Sequence, residues 1–505
     1  MEDLIKLVRN MHAGEVKLLH HFFRMQKKSD KKRDLLFDSV VKCAESKNFA
    51  EIEKTVISKL YLGDKNPQRA FDKLKSRLRW DILNILLLQE SSIHSNSKTE
   101  TLTFNCRRYI LQSEILLKRG LYKEAIVIME KAICIARKHE LFIEQILIDN
   151  ICSDYNLTKL KKEEYNNYST QIQKASTHIE KLAFAKQFYD ELVSYASFKL
   201  GEDPPYGDWK IKLDVLGNYS SSSDSVRIRF YFSICEVYYY RHTKQYNRSL
   251  ESALALLKQE ETSEVFGSYL YKGTIHLETA KCFLLLKQYS EAIYHSSYSV
   301  SHFGMDKKNT LYSYEVLFYS FINEENFKDA LLVTEQAFEN TYLQKNNFLS
   351  AKWWFLKAGV QFKMKNYQAS ITSLKKCNGL YKDKDYWMLA CNLFETICRI
   401  ENGDLEWFEY RSEGLKKIMM RHNKGKKSAH NNRFGLIYQI LKTLNKNNFD
   451  FSRTMAEEKH NMELLSEDNE NFLWNQAGCE IVRFDEWIKE KALNDPRSKR
   501  TQLVA

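Results

Sequence analysis

A tyrosine or phenylalanine followed three residues later by a small residue returns along this chain about every forty residues. The clear copies are Tyr122–Ala125, Tyr289–Ala292 and Phe327–Ala330, and serine replaces alanine in Tyr246–Ser249 and Tyr367–Ser370. Weaker copies begin at Tyr165, Tyr206 and Leu405. A fixed period in this range marks an array of stacked supersecondary units, each burying its apolar face against its neighbours. Each copy opens an α-helical stripe. After Tyr122 come Ala125, Ile126, Met129, Ala132, Ile133 and Ala136, all on one side of a helix. Small residues on such a stripe let two helices approach to about 8–10 Å, ridge into groove. The repeat packing set read from the ladder is therefore Tyr122, Ala125, Ala132, Tyr246, Ser249, Tyr289, Ala292, Phe327, Ala330, Ala337, Tyr367 and Ser370.

Composition agrees with an all-α chain. Only 4 Pro and 16 Gly occur in 505 residues, and none of the prolines lies between Pro205 and Pro496. Turn-rich β folds need more such punctuation. A hydrophobic content of 44% excludes wholesale disorder. The start carries charges every few residues with no signal-like apolar region, and the densest apolar run, Ile82–Leu88, is too short to span a bilayer. Ten cysteines without a Cys-x-x-Cys pair point to reduced core thiols and a cytoplasmic setting.

The ladder divides the chain. Residues 1–90 fall outside it and form a helical N-terminal module, with helices expected near 14–26, 33–46, 49–61 and from Pro67 onward. A polar linker is expected over 91–102, and a repeat array of about eight helix pairs over 103–421. Closing helices follow over 422–493, including one at 470–492 that covers the end of the stack, and 494–505 form a disordered tail. The Tyr206 copy is expected to be distorted, its helix ended early by Gly217 and the serines at 220–223, with an exposed loop.

The ladder resembles the tetratricopeptide repeat, whose second helix opens with Tyr/Phe-x-x-Ala. Ala132, Ser299 and Ala337 match its later small position, Gly120 its turn, Ala280 and Ala358 the small site of the first helix, and Trp354 the aromatic before it. The period exceeds the usual 34, the terminal proline is absent, and Val237 and Phe318 replace small residues. The layout, with segments 66–88 and 404–422, is also similar to large tetratricopeptide-type proteins of Bacteroidota bacteria that have no assigned activity. The resemblance implies a superhelical α-solenoid whose first helices line a concave, protein- or peptide-binding surface.

Chemistry is harder to find. Gly425-Lys426-Lys427-Ser428 lacks the glycine and the preceding strand of a phosphate loop, and no His-Glu-x-x-His motif occurs. His20 and His21 are adjacent, so their rings point in different directions on a helix. No catalytic set, cofactor site or metal site is expected, and the chain reads as a non-enzymatic interaction scaffold. Two readings stand for Trp353: packing against the next repeat, or a partner-binding place on the concave surface. Basic residues cluster on 1–90, with 19 Lys/Arg against 13 Asp/Glu, and between Lys416 and Arg433. A solvated face explains them most simply. The alternative is phosphate contact by Arg69, Lys73, Arg77, Lys424, Lys426 and Lys427, as in a regulator with a DNA-binding N-terminal module and a sensing array. No membrane insertion is expected, and the sequence does not specify an oligomeric state.

Overall fold

The computed structural model describes the chain except at residues 1, 10, 12, 26–30, 43–48, 89–97, 160, 199–204, 263–264, 266–268, 305–307, 381–385, 424–428, 467–471, 473, 475–477 and 495–505. The described residues form 25 helices and no strand. They fall into two compact units, one of residues 1–96 and 100–108, the other of 97–99 and 109–505.

The first unit contains α1 (Glu2–Arg9), α2 (Ala13–Met25), α3 (Lys31–Lys42), α4 (Phe49–Leu60) and α5 (Pro67–Leu88). Sequence periodicity missed α1, although Leu4, Ile5 and Val8 lie on one face and are buried. They join Leu19 and Phe23 of α2, Phe37 and Val40 of α3, and Phe71, Leu78 and Ile82 of α5 in one core. A largely buried ion pair, Arg33 to Asp81 at 2.6 Å, ties α3 to α5. The linker expected over 91–102 lies outside the described residues up to 97, and residues 98–102 are the first turns of α6 (Lys98–Lys118).

The second unit carries the helix pairs. They are α8 (Phe142–Thr158) with α9 (Lys162–Phe198), α11 (Val226–His242) with α12 (Tyr246–Thr262), α13 (Tyr269–Leu285) with α14 (Tyr289–Phe303), α15 (Lys308–Asn323) with α16 (Phe327–Glu339), α18 (Asn347–Lys363) with α19 (Tyr367–Leu380), and α20 (Tyr386–Glu401) with α21 (Glu406–Asn423). α7 (Tyr122–Lys138) precedes them, and a single turn, α17 (Thr341–Gln344), is inserted before α18. The turns explain the ladder. Gly120, Lys244, Lys287, Glu325, Lys365 and Gly403 all have positive φ, and each stands two residues before a ladder position. The next amide then donates back across the turn, as Gln288 does to Phe283 at 2.9 Å and Asn366 to Gln361 at 2.9 Å. This left-handed C-terminal cap satisfies carbonyls that the helix end leaves open and aims the chain back into the second helix.

Ala125, Ala132, Ala292, Ala330 and Ala337 are fully buried at the seams. So are the two serines. Ser249 donates its hydroxyl to the Val237 carbonyl at 2.7 Å, and Ser370 to that of Ala358 at 2.8 Å. Serine thus replaces alanine where its hydroxyl finds a carbonyl twelve residues back, so no buried polar atom is stranded. Tyr246, Tyr289, Phe327 and Tyr367 are half-buried against the pairs. Tyr122, by contrast, is 46% exposed and meets the ring of Tyr155 at 5.8 Å.

The Tyr165–Tyr206 stretch departs from the expectation. α9 is one helix of 37 residues, fusing the second helix of one unit to the first helix of the next. α10 (Tyr206–Ser221) then runs straight through Gly217 rather than ending there. The glycine gives the Phe232 ring a close approach, since a Cβ there would come to 3.2 Å from it. The following loop is anchored rather than free. Ser225 is buried and caps α11, and the Glu140 carboxylate accepts from the amides of Val226 at 2.6 Å and Arg227 at 3.0 Å. An acid at a helix N-terminus satisfies open donors and opposes the helix dipole.

The closing segment also differs. α22 (Ala429–Lys446) is followed by α23 (Phe451–Glu457) and α24 (Lys459–Ser466), and the expected helix at 470–492 begins only at Phe484, as α25 (Phe484–Asn494). Residues 478–483 are non-helical. The tail at 495–505 lies outside the described residues.

Candidate functional site

The first helices of the pairs enclose an open cavity of about 420 Å³. Its walls come from the second half of α9 and from α11, α13, α15 and α18. On α15 the lining residues Lys308, Tyr312, Glu315, Val316 and Tyr319 recur every three or four positions, which is one face of a helix. The volume suits a short peptide stretch or a small ligand.

Charge organises the floor. Glu278 is 3% exposed and is held by Arg241 at 2.5 Å and Lys281 at 2.8 Å, while Tyr238 donates its hydroxyl to it at 2.9 Å. Burial opposes ionisation of Glu278, but Lys281 and Arg241 outweigh it and hold the carboxyl at about 2. Glu315 pairs with Lys352 at 2.5 Å across α15 and α18. Burial pushes the neighbouring Tyr189, Tyr238 and Tyr319 hydroxyls up, so they remain protonated donors. Lys281 and Lys308 flank the Tyr312 ring at 5.6 and 5.5 Å. Four cations (Arg241, Lys281, Lys308, Lys352) thus face two carboxylates (Glu278, Glu315) in this cavity.

The same faces continue beyond the cavity, and there they are occupied by the chain itself. Tyr319 lines the cavity and also donates its hydroxyl to the Gly478 carbonyl at 3.1 Å. Two turns beyond Lys352 on α18, Gly359 receives Ile481, whose side chain lies where a Cβ would come to 2.5 Å. Cys479 is buried, which pushes its thiol up, and Lys352 and Glu315 of the cavity act on it electrostatically. Further on, Trp487 and Lys491 bind Glu401 at the end of α20, at 2.6 and 2.7 Å. The segment is fastened from behind by Arg433. That side chain is 3% exposed and meets Glu480, Asp485, and the carbonyls of Leu465 and Phe472. Glu480 also accepts from the Phe484 amide at 2.9 Å and so starts α25. These contacts override the helical periodicity at 478–483. The closing segment therefore fills part of the groove of first helices rather than only covering an end.

Of the residues singled out from sequence, Trp353 is 1% exposed and belongs to the core, so a partner-binding place for it is corrected. Trp354 is half-buried instead, against Phe338 at 4.5 Å, with Lys376 at 4.2 Å over its ring. Arg69, Lys73 and Arg77 are exposed on one side of α5, with Trp80 beside them. Lys424, Lys426 and Lys427 lie outside the described residues. The cavity residues were missed, though a signal exists. Arg241, Glu278, Glu315 and Lys352 stand at equal intervals of 37 on successive first helices.

No known protein-family profile matches the chain, and no curated protein matches it. Among solved structures, the apo form of RapI is similar over 76% of this chain and 98% of its own, with 12% identity and a TM-score of 0.43. The apo form of the quorum sensor NprR from B. thuringiensis is similar over 68% of this chain and 97% of its own, with 14% identity and a TM-score of 0.43. At these values the likeness carries no argument; fold and site rest on the helices and the cavity themselves. No helix among the described residues is long and apolar enough to cross a membrane.

Proposed function

We propose that the second unit is a non-enzymatic scaffold whose open cavity takes an extended, acidic peptide segment of a partner protein. The observation that carries this reading is the chain's own segment 478–483, non-helical and held by the same helix faces through a backbone carbonyl and an apolar side chain. A surface that binds one non-helical stretch by a hydroxyl donor and a glycine notch is suited to bind another beside it. The acidic preference follows from four cations against two carboxylates in the cavity. The basic stripe of α5 shows charge and exposure only, which any solvated helix face has, and no nucleic-acid role is assigned to it.

The test is selection of a displayed library of random dodecapeptides on the full chain, followed by titration of the enriched peptides. Acidic sequences are expected to be enriched, and Lys308→Glu with Tyr312→Ala is expected to weaken them about tenfold or more, a change of about 1.4 kcal/mol. Absence of enrichment, or binding that ignores both substitutions, would overturn the reading.

A further inference from the structure

The first unit holds a second constellation, unrelated to the cavity. His20 on α2 faces Asp34 and Asp38, one turn apart on α3. Its Nδ1 lies 3.5 Å from Asp34 Oδ1 and 3.5 Å from Asp38 Oδ1, and the three ligand atoms all lie within 4.8 Å of one another. Phe37 packs against the imidazole at a centroid distance of 5.0 Å and limits its rotation.

Three observations point away from a simple acid–base pair. Distances of 3.5 Å are too long for charge-assisted hydrogen bonds, which close to about 2.7–2.9 Å. They match the spacing of ligands around a metal ion: zinc–ligand bonds of about 2.0–2.2 Å in a tetrahedron separate neighbouring donors by about 3.3–3.6 Å. Asp34 Oδ1 is buried and has no hydrogen-bond partner, which a carboxylate oxygen tolerates poorly. Finally, although Lys and Arg outnumber acids in this part of the chain, neither Asp34 nor Asp38 pairs with a lysine or arginine among the described residues.

We propose that His20, Asp34 and Asp38 form a binding site for a divalent transition-metal cation of the zinc or manganese class, bridging α2 and α3. One imidazole nitrogen and two carboxylate oxygens supply three ligands, and water completes the shell from the solvent side, where the side chains of both aspartates are partly exposed. Two carboxylates neutralise the ion, and the bound cation satisfies the stranded Asp34 oxygen. The role is a clamp between two short helices of a small core, so metal binding is linked to the stability of this unit.

The experiment is isothermal titration of chelator-treated full-length protein with ZnCl2 and with MnCl2, alongside His20→Gln, Asp34→Asn and Asp38→Asn. Saturable binding of one ion is expected, with affinity reduced at least tenfold in each variant, and a metal-dependent rise in melting temperature that the variants lose. Because other histidines and cysteines can bind zinc, Co²⁺ absorption in the visible range serves as a second readout of nitrogen–oxygen ligation. Lack of saturable binding, or binding equal in the wild type and all three variants, overturns the proposal. A Co²⁺ spectrum with thiolate character overturns it equally, and circular dichroism shows whether each variant retains its helices.

Discussion

The two stretches of the groove in the second unit are built from the same helix faces and have opposite fates. Around α11, α13 and α15 the face is polar, with charges paired in place, and it leaves a cavity. Around α18 and α20 the face offers a glycine notch and a terminal carboxylate, and the closing segment fills it. The difference lies in what each side chain demands. The Glu278 network is satisfied internally by Arg241, Lys281 and Tyr238. Gly359, by contrast, leaves a hollow that only an incoming side chain fills, and Ile481 provides it. One region is complete without a ligand; the other is complete only with its own C-terminal segment.

That contrast can be broken most forcefully at Arg433. Replacing it with glutamine leaves the buried Glu480 carboxylate without its cation, while Asp485 keeps Arg483 at 3.0 Å, and loss of one partner from a buried pair costs about 3–5 kcal/mol. Chemical denaturation should show that loss, with early proteolysis within 467–494. Next in size is the acid response of the open stretch. The folded carboxyl of Glu278, at about 2, lies below its ordinary value of 4.5, so its stabilisation is present above pH 4.5 and is lost as pH falls towards 2. A shift of this size corresponds to on the order of 3 kcal/mol. Glu278→Gln should remove most of that pH slope when unfolding is followed between pH 5 and 2. Smallest is the notch. Gly359→Ala should cost about 1–3 kcal/mol by overpacking. The same change in an Ile481→Ala background should cost much less, because the two atoms it meets most closely, Cδ1 and Cγ2, are gone. Equal costs in both backgrounds would mean that the segment does not depend on the notch.

Much of the helical layout was legible because one signal repeats. The aromatic and small positions mark second helices, and the left-handed residue two positions earlier marks the turn. At Lys244, Lys287, Glu325 and Lys365 that turn was hidden, because the residue is not glycine and only its recurrence betrays it. The fused α9 was invisible for a related reason: nothing in its sequence breaks the helix where a turn was due. The closing segment misled because Ile481, Phe484, Trp487 and Ile488 keep helical spacing while Ile481 and Glu480 answer to distant partners, Gly359 and Arg433. Of the two readings of Trp353, packing is the one the structure shows, and Trp354 packs beside it half-buried, because adjacent aromatics on a helix differ only in direction and the neighbouring helices decide how deeply each is buried. The cavity charges escaped notice since their interval of 37 is shorter than the ladder's 38–43, so they drift along successive first helices instead of keeping one register.

The central claim is that the open stretch receives a partner segment while the neighbouring stretch stays filled by residues 478–488. Photo-crosslinking tests it directly, using a selected acidic dodecapeptide that carries a photoreactive group, with mass-spectrometric mapping on the full chain. The account predicts crosslinks on the cavity faces of α13 and α15, around Lys281, Lys308 and Tyr312, and loss of them in Lys308→Glu. Crosslinks concentrated on the basic face of α5, or on α18 and α20 with the closing segment displaced, would contradict it.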